Sequence, residues 1–519
     1  MELIANRIPR VSAAVGLSVF QLLTYPHPPP FGVAMRYPRN RMLPALVILA
    51  SLTVSSHAAE PLMLGSRWEL FVDEYLIDSK QNVELKLHEP VRREIVLTTD
   101  KPWEGPTSAY FSVVQDGEKV RLYYRGSDGG PDHSESQFTC VAESEDGIHF
   151  TRPKLGLIEA GGTKENNVIW RGVESHNFAP FLDANPSAKP DARFKALGGV
   201  KMPGKNWQYG DTPGGLYAFA SADGIHWRKL QKEPVITKGA FDSQNLAFWD
   251  AARNRYACFS RIFSVEDQLR AIQSSHSQDF LKWSTGVPHR YAEDAPKEHF
   301  YTSATIPCPT APHLFLSFPK RFQPARRKIP EHSVKGVSDT IFMSSRDGVH
   351  WDRPFLQAWA RPGLDPKNWT DRSNMVAYGI YDGGDGEWSL YISEHYRHAD
   401  HRIRRLTVRQ QGFASAHVGG GEHGELTTHP IQFDGDSLQL NYASSAAGSI
   451  QIEIQDEKGQ PIPGFTMQEM PELFGDELAA TATWNSGSDL SALRGKTIRL
   501  RVKMIDADLY ALRFTDNVK

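Results

Sequence analysis

Five carboxylates, each placed just before an apolar run of strand character, divide the chain into repeating units. They are Glu104, Glu174, Asp242, Glu298 and Asp371. Successive acids are roughly 55–75 residues apart, which is too long for helical repeats of the ankyrin or tetratricopeptide type. This spacing suits one four-stranded sheet per repeat, enlarged by loops, which is the unit of a β-propeller.

A second marker occurs in step with the acids. Three segments are near copies of one another, and a fourth is degenerate: Asp146–Phe150, Asp223–Trp227, Asp347–Trp351 and Gln278–Trp283. The Asp-Gly pair predicts a type I′ hairpin turn, and the aromatic residue that follows can pack between neighbouring sheets. The alternative interpretation is a set of ordinary hairpins in a β-sandwich.

The order of these markers predicts an all-β chain, a five-bladed β-propeller followed by a C-terminal β-sandwich. The propeller is predicted over residues 60–415, and the strand-like segment Trp68–Ile77 is expected to close its ring. A glycine-rich linker is predicted over 416–426. Residues 427–519 alternate with period two and predict the sandwich,.

Charge and cysteine content narrow the class of protein. The 519 residues carry a formal charge of −3 without a basic block, which argues against nucleic acid as a partner,. Aromatic residues make up 11% of the chain, as expected for packed sheets and for surfaces that stack on sugar rings,. The three cysteines do not form a disulfide framework,.

The first 59 residues are interpreted as an upstream segment and a signal peptide. A basic stretch at 35–41 precedes an apolar run at 43–54, and Ala58 or Ala59 fits a cleavage site,. The true start is expected at Met35 or Met42, and the mature protein in the periplasm or outside the cell. We expect no membrane span in the mature chain, because the run is short. A membrane anchor or an uncleaved tail is the alternative.

The five acids have a chemical consequence if the propeller forms. Each blade places the loop before its innermost strand on the same face, so the acids would meet in one funnel. Crowding of carboxylates allows a neutral acid to coexist with an ionised one, which is the requirement for glycoside hydrolysis. The alternative is that some acids cap strands or pair with Arg125, Arg261, Lys320 or Arg372.

Asp242 and Glu298 are the leading catalytic candidates. Asp242 precedes the donors Ser243, Gln244 and Asn245, which favour a charged carboxylate, so it is predicted to be the nucleophile or base,. Glu298 precedes apolar Phe300, which favours a neutral proton donor,. Asp371 is predicted to be the third, orienting acid, with Glu104 next.

Further polar residues lie near these acids or at the ends of the second strands. Cations among them could bind a carboxylated or sulfated sugar, or could pair with the acids. The predicted substrate-binding residues are His176, Asn177, Asn245, Arg261, His299, Tyr301, Lys320, Arg321, Asp339, Arg372, Glu394 and His395.

His395, His398 and His401 raise the question of a metal site. Three imidazoles beside Glu394 and Asp400 could bind a metal, but their spacing matches no helical zinc motif,. A plain polar loop is the preferred interpretation. No cofactor and no catalytic metal are predicted, and a structural calcium ion is left open.

The carboxylate-led repeats followed by a β-sandwich resemble the five-bladed propeller enzymes of glycoside hydrolase families 32 and 43 and their relatives. In those families three acids from successive blades act as nucleophile or base, as transition-state stabiliser and as general acid. The resemblance lies in architecture, since the Trp-Met-Asn-Asp-Pro-Asn-Gly signature of family 32 is absent. Phe241–Asn245, Gly336–Asp339 and Asp365–Asp371 also resemble uncharacterised exported bacterial proteins.

Other functions remain open alongside an exported glycoside hydrolase acting on an oligo- or polysaccharide that could be anionic. One is a propeller that binds carbohydrate without cleaving it. Another is a sialidase-like hydrolase, because the turns at Asp223 and Asp347 resemble the sialidase Asp-box with one residue fewer. A metal-dependent lyase or esterase would need the cluster at His395 in the same pocket as the acids.

Overall fold

The computed structural model describes residues 60–127, 137–200 and 214–516, so the predicted signal segment lies outside the described residues. The prediction of an all-β chain is confirmed. Among the described residues the only helices are single 3₁₀ turns, and none could cross a membrane. These turns are Val173–His176, Pro190–Ala192, Ala251–Arg253, Pro366–Asn368, Met467–Glu469 and Ser491–Leu493.

Three consecutive segments each form a four-stranded antiparallel sheet with its strands in chain order. The first sheet comprises Ala109–Asp116, Lys119–Ser127, Gln137–Ser144 and Val168–Arg171. The second comprises Ala179–Leu182, Phe194–Gly198, Tyr217–Ser221 and Trp227–Lys229. The third comprises Leu246–Asp250, Arg255–Phe263, Arg270–Ser277 and Val287–Pro288.

The next repeat is divided into two three-stranded sheets. One contains His299–Phe300, Lys320–Gln323 and Val337–Thr340, and the other contains Ile306–Cys308, Ala311–Ser317 and Met343–Ser345. The fifth sheet contains Tyr381–Asp382, Glu387–Glu394, Arg402–Arg409 and Val91–Thr98. The run after Asp371 forms isolated bridges, including Ser112 with Tyr378. The number of blades remains a prediction.

The prediction that Trp68–Ile77 closes a ring is wrong. Its strand Glu69–Leu70 pairs with Leu512 and Ala511 near the end of the chain. Val91–Thr98 instead pairs with Arg402–Arg409 of the fifth sheet. Both segments have strand character, and only long-range pairing decides which partner each one takes.

The remaining nine strands form one sheet from both ends of the described chain. They are Leu62–Gly65, Glu69–Leu70, Ile77–Gln81, Glu84–Leu87, Ala414–Thr428, Ile431–Phe433, Ser437–Asp456, Asp476–Thr481 and Ile498–Thr515. Residues 416–426, predicted as a linker, belong to strand Ala414–Thr428. The glycines occupy a register shift between Val418 and His423, so the ladder continues on both sides of them.

The Asp-Gly turns have a common geometry. The Oδ1 of Asp146 accepts hydrogen bonds from the backbone of Ile148 and His149, both at 2.8 Å, and equivalent bonds form at Asp223 and Asp347. Only the glycine of each turn has positive φ, +68° at Gly147. A type I′ turn needs positive φ at both of its central residues, so the predicted turn type is wrong. The aspartate does not adopt positive φ, and its side chain accepts backbone hydrogen bonds within the turn instead.

The aromatic residues after these turns pack against other sheets, as predicted. Trp227 meets Tyr123 of the first sheet edge-on at 6.5 Å between ring centroids. Trp351 meets Phe259 of the third sheet at 6.0 Å, and Phe150 meets Tyr391 of the fifth sheet at 5.9 Å. The largest buried cluster contains residues of the second, third and fifth sheets and of the divided repeat, while the nine-stranded sheet also has a core of its own.

Glu69 joins the nine-stranded sheet to the divided fourth repeat. Its buried carboxylate accepts hydrogen bonds from Arg67 and Arg346, both at 2.8 Å, and His313 Nε2 lies at 2.9 Å. Burial opposes ionisation, but the adjacent His313 imidazole and the charge of Arg346 lower the pKa of Glu69 from 4.5 to about 2. The carboxylate therefore stabilises the folded state only while it is ionised.

Glu69→Gln is expected to lower the free energy of unfolding by about 3–5 kcal/mol at neutral pH, because it removes one partner of a buried ion pair with Arg346,. Ionisation of Glu69 contributes stability above pH 4.5, and this contribution is lost as the pH falls toward 2,. Denaturant unfolding at pH 7 and pH 3 should show the difference from wild type shrinking in acid. Glu74→Gln, at an exposed ion pair with Lys80, is the control. An equal loss at both pH values would contradict the assignment.

Candidate active site

Two of the five predicted acids, Asp242 and Asp371, lie at opposite ends of one continuous group of contacts. Asp242 Oδ1 bonds His176, whose other ring nitrogen lies 3.2 Å from Arg125 Nη1. Arg125 donates to the hydroxyl of Tyr396 at 3.2 Å. The same hydroxyl accepts from Arg372 at 3.1 Å, and Arg372 Nε lies 3.8 Å from Asp371.

Asp242 is an ionised carboxylate. Burial opposes its charge, but the hydrogen bond from His176 and the charge of Arg261 hold the pKa of Asp242 well below its usual value. A carboxylate oxygen can only accept, so Nε2 of His176 carries a hydrogen and donates it over 2.8 Å,. The side chain of Asp242 is 14% exposed, so it remains accessible to a bound molecule.

The loop that carries Asp242 is held by two asparagines. The amides of Asn177 and Asn245 both donate to the main-chain carbonyls of Phe241 and Ser243, on either side of the acid. Both asparagines are buried. Their contacts are thus with the main chain rather than with a substrate pocket, in contrast to the role predicted for them.

Asp371 has a histidine and an arginine as neighbours. Its Oδ1 lies 3.3 Å from His332 Nε2 and 3.3 Å from Arg397 Nε, and both Asp371 and His332 are largely buried. Both contacts are within hydrogen-bond distance. The backbone carbonyl of Asp371 accepts from Lys320 Nζ at 3.0 Å, which ties the loop to the neighbouring strand.

Tyr301 lies among cations between the two acids. The Nζ of Lys320 is 4.0 Å from its ring centroid, and the guanidinium carbons of Arg261, Arg372 and Arg270 are 5.0, 5.4 and 5.6 Å from it. Burial, together with the charge of Arg372, lowers the pKa of Lys320 well below its usual value. Tyr301 also contacts the hydroxyl of Tyr110 at 3.5 Å.

Backbone strain occurs in and beside this cluster. Tyr110 has φ +57°, His395 +61° and Arg397 +69°. Positive φ costs a non-glycine residue of order 1–3 kcal/mol and persists only where surrounding contacts impose it, often at functional sites. At Tyr110 the imposing contacts include the edge of the His176 ring and the guanidinium of Arg125.

The other predicted acids have different partners. Glu104 is fully buried and accepts from Tyr124 and from Arg152. Glu174 is held by Lys229. The oxygens of Glu298 accept from Arg321 at 3.2 Å and Arg353 at 2.6 Å.

Glu298 also lines a cavity of about 500 Å³ with Phe263, Tyr291, Phe300 and Arg353. Phe263 connects this cavity with the residues around Tyr301, because the guanidinium groups of Arg261 and Arg270 lie over the Phe263 ring. The surroundings of Glu298 are therefore not only apolar, as the sequence suggested, but include two guanidinium groups.

Several predicted substrate-binding residues lie in ion pairs or bond the backbone. Arg321 and Asp339 form a bidentate pair at 2.9 and 2.7 Å. Glu394 is buried among Arg92, Arg402 and Arg404. His299 accepts the backbone hydrogen of Arg270 at 3.0 Å.

His395 lies between two carboxylates. Its ring nitrogens are 2.7 Å from Asp365 and 3.0 Å from Asp400. His401 Nδ1 contacts the hydroxyl of Thr99, and burial lowers the pKa of this histidine to about 3. Across 60–127, 137–200 and 214–516, no three His, Cys, Asp or Glu side chains converge in a way that could hold a metal ion.

The sequence patterns did not identify five residues of the group around Asp242, Tyr301 and Asp371. They are Tyr110, Arg270, His332, Tyr396 and Arg397. Tyr396 and Arg397 directly follow the predicted Glu394 and His395, so a signal was available. Arg270 begins the strand paired with that of Arg261, which requires the ladder to be known. His332 and Asp371 lie far apart in the chain, and no local pattern joins them.

Comparisons with known proteins give structural matches only: no family model and no curated protein matches the chain. An N-acetylgalactosamine deacetylase from F. plautii, in complex with blood group B trisaccharide, is 13% identical with a TM-score of 0.43, over 63% of this chain and 96% of that one. The α-L-arabinanase of Penicillium chrysogenum, complexed with arabinobiose, is 11% identical with a TM-score of 0.36, over 62% and 99%.

A third structure comes from a study of the GH130 family of mannoside phosphorylases, described as containing glycoside hydrolases that target β-1,2 mannosidic linkages in Candida mannan. It is 12% identical with a TM-score of 0.36, over 67% of this chain and 94% of that one. The predicted resemblance to propeller glycoside hydrolases is confirmed as a resemblance of structure. At these identities it does not extend to individual site residues.

Proposed function

We propose that the protein is a glycoside hydrolase that cleaves an oligo- or polysaccharide with Asp242 as its ionised carboxylate. The observation that carries the proposal is the linkage of Asp242 to Asp371 through His176, Arg125, Tyr396 and Arg372. Glycoside hydrolysis needs two carboxyl groups with different protonation, one charged and one holding a proton. In this proposal Asp242 is the charged member, and Asp371, at the other end of the linkage, is the acid that carries the proton.

Asp242 serves as nucleophile or general base in this proposal. Its partner His176 donates through Nε2, which fixes the carboxylate in one orientation. Asn177 and Asn245 hold the loop on both sides, so the oxygen that faces substrate has little freedom to move. Such preorganisation supports attack on the sugar or on a water molecule.

Asp371 and His332 together supply the proton. The pair is buried and its members are 3.3 Å apart, so a proton bound to either one is available to the leaving oxygen through Asp371. Glu298, assigned this task from the sequence, instead bonds Arg321 and Arg353. We retain Glu298 and Glu104 as the competing candidates, and the Discussion describes the variant that tests Glu298.

The architecture proposed for this activity is a ring of five units followed by a β-sandwich. Packing of Trp227, Trp351 and Phe150 against the first, third and fifth sheets supports it, because the second unit then contacts the first, the fourth contacts the third, and the first contacts the fifth. A ring of this kind would direct the loops of Asp242 and Asp371 toward one funnel.

The test of the proposed function is the release of new reducing ends from a panel of neutral and acidic oligo- and polysaccharides by the full chain. Reducing ends should increase linearly with time and with protein concentration on at least one glycan. Failure to cleave any glycan that the protein binds would instead favour a carbohydrate-binding protein without catalytic activity.

We also propose that the chain is exported. The basic stretch, the apolar run and the small residues within 35–59 support the proposal,. The mature protein is expected to begin at Ala59 or Glu60, which N-terminal sequencing of exported material would establish. Recovery of a chain beginning upstream of Met42 would contradict it.

A further inference from the structure

Among the described residues, Arg270 is a cation without an anionic partner, next to the proposed catalytic acid. Its guanidinium lies over the rings of Phe322, Tyr301 and Phe263, at 5.1, 5.6 and 5.7 Å from their centroids. Its Nε is buried and has no hydrogen-bond partner in the part of the chain that the structure describes. No carboxylate of these residues lies within ion-pair distance of the Arg270 side chain.

Other cations surround the same tyrosine. Arg261 and Arg372 lie at 5.0 and 5.4 Å from the centroid of Tyr301, and Lys320 lies at 4.0 Å. Burial and the neighbouring charge of Arg261 lower the pKa of Arg270, although Tyr301 acts in the opposite direction. Cations brought together in a buried place repel one another unless an anion joins them.

Basic side chains are numerous around Tyr301 among the described residues, namely Arg125, Arg261, Arg270, Lys320, Arg372 and Arg397. The five other than Arg270 each have a hydrogen-bond or ion-pair partner within the described residues. Arg270 is therefore the cation of this group that an anionic ligand would pair.

We propose that a sugar unit bearing a carboxylate or a sulfate binds with its anionic group against Arg270, so that the substrate is an acidic glycan. The assignment of this group to a glycan rests on the proposed function. A guanidinium presents two parallel N–H donors that match a carboxylate or sulfate, and its planar fork is already held by the three rings. Arg261 and Arg372 add positive charge beside the same tyrosine.

Binding can be measured without any cleavage. The full chain is titrated calorimetrically with sodium glucuronate, glucose 6-sulfate and glucose at matched ionic strength. At least one anionic sugar is expected to bind saturably, and at least tenfold more tightly than glucose. The two anions distinguish a carboxylate site from a sulfate site. Added sodium chloride should weaken the binding, as expected for a charge-dependent contact.

Arg270→Gln is expected to weaken anionic-sugar binding at least tenfold. Arg270→Lys keeps one charge but loses the fork, so its affinity should be intermediate. The unfolding midpoint of ligand-free Arg270→Gln should change little, because the guanidinium makes no hydrogen bond in the described structure. Arg228→Gln, at an exposed ion pair with Asp191, is the control and should leave binding unchanged.

Equal affinity for glucose and the anions, absence of saturable binding by either anion, or unaltered affinity in Arg270→Gln would each overturn the proposal. These results are independent of the test of cleavage. If glucuronate binds but no glycan is cleaved, the anion site stands and the hydrolase proposal fails. If a neutral glycan is cleaved and the anions do not bind, the hydrolase proposal stands and the anion site fails.

Discussion

Asp242→Asn is expected to lower turnover by roughly two to four orders of magnitude on any glycan the wild-type protein cleaves, the range typical of a positioned acid–base group. The change removes the negative charge and keeps the size of the side chain. A neutral amide can neither attack a sugar carbon nor accept a proton from water. The bond to His176 holds the Asp242 carboxylate in one orientation, which a group elsewhere in the site does not reproduce.

The measurement is the initial rate of reducing-end release by purified wild-type and Asp242→Asn proteins. Asparagine oxygen can still accept the hydrogen of His176 Nε2, so the fold should survive, and the unfolding midpoint checks this. Asp191→Asn replaces an exposed aspartate and is the matched control. Turnover within about threefold of wild type, with the fold intact, would exclude Asp242 from the chemistry, since a group of this kind supplies at least about 10²-fold.

Asp371→Asn is expected to separate two classes of substrate. On an unactivated glycan the leaving oxygen needs a proton, so the loss should again reach roughly 10²–10⁴-fold. On a nitrophenyl glycoside of the same sugar the leaving group departs without a proton, and the loss should be far smaller. Asp242→Asn should be severe on both substrates, which distinguishes the two roles.

Glu298→Gln in the same assay decides between the competing proton donors. With Asp371 as the donor, Glu298→Gln should cleave the unactivated glycan at close to the wild-type rate, provided that the ion pairs with Arg321 and Arg353 are not needed for folding. The unfolding midpoint of the variant tests that condition. A severe loss on the unactivated glycan alone, in a folded Glu298→Gln protein, would return the role to Glu298.

The sequence was most informative where a contact spans few residues. The Asp146, Asp223 and Asp347 turns depend on hydrogen bonds that reach two or three residues ahead, so their repetition was visible in the chain. The second strands of the repeats were located for the same reason, since alternation and aromatic content act within one strand. The error in turn type arose because the aspartate side chain takes part in the turn.

The sequence was less informative about which strands pair with each other. Glu69–Leu70 and Val91–Thr98 both have the composition of a strand, and their partners lie in the last part of the chain. The glycines within 416–426 suggested a linker, but the ladder on both sides keeps them in a strand. Which strand meets which is a property of the whole packed chain, because the pairing competes among many similar edges.

The five repeated acids show most clearly what local pattern determines and what packing decides. All five acids occupy equivalent positions before apolar runs, and the sequence alone determines this. Arg152 neutralises Glu104, and Arg353 with Arg321 neutralises Glu298, through contacts between segments that are distant in the chain. Asp242 instead meets His176, and Asp371 meets His332. The charge state of a carboxylate depends on burial and on neighbours within a few ångströms, so only the tertiary structure could assign different roles to acids that the sequence presents as equivalent.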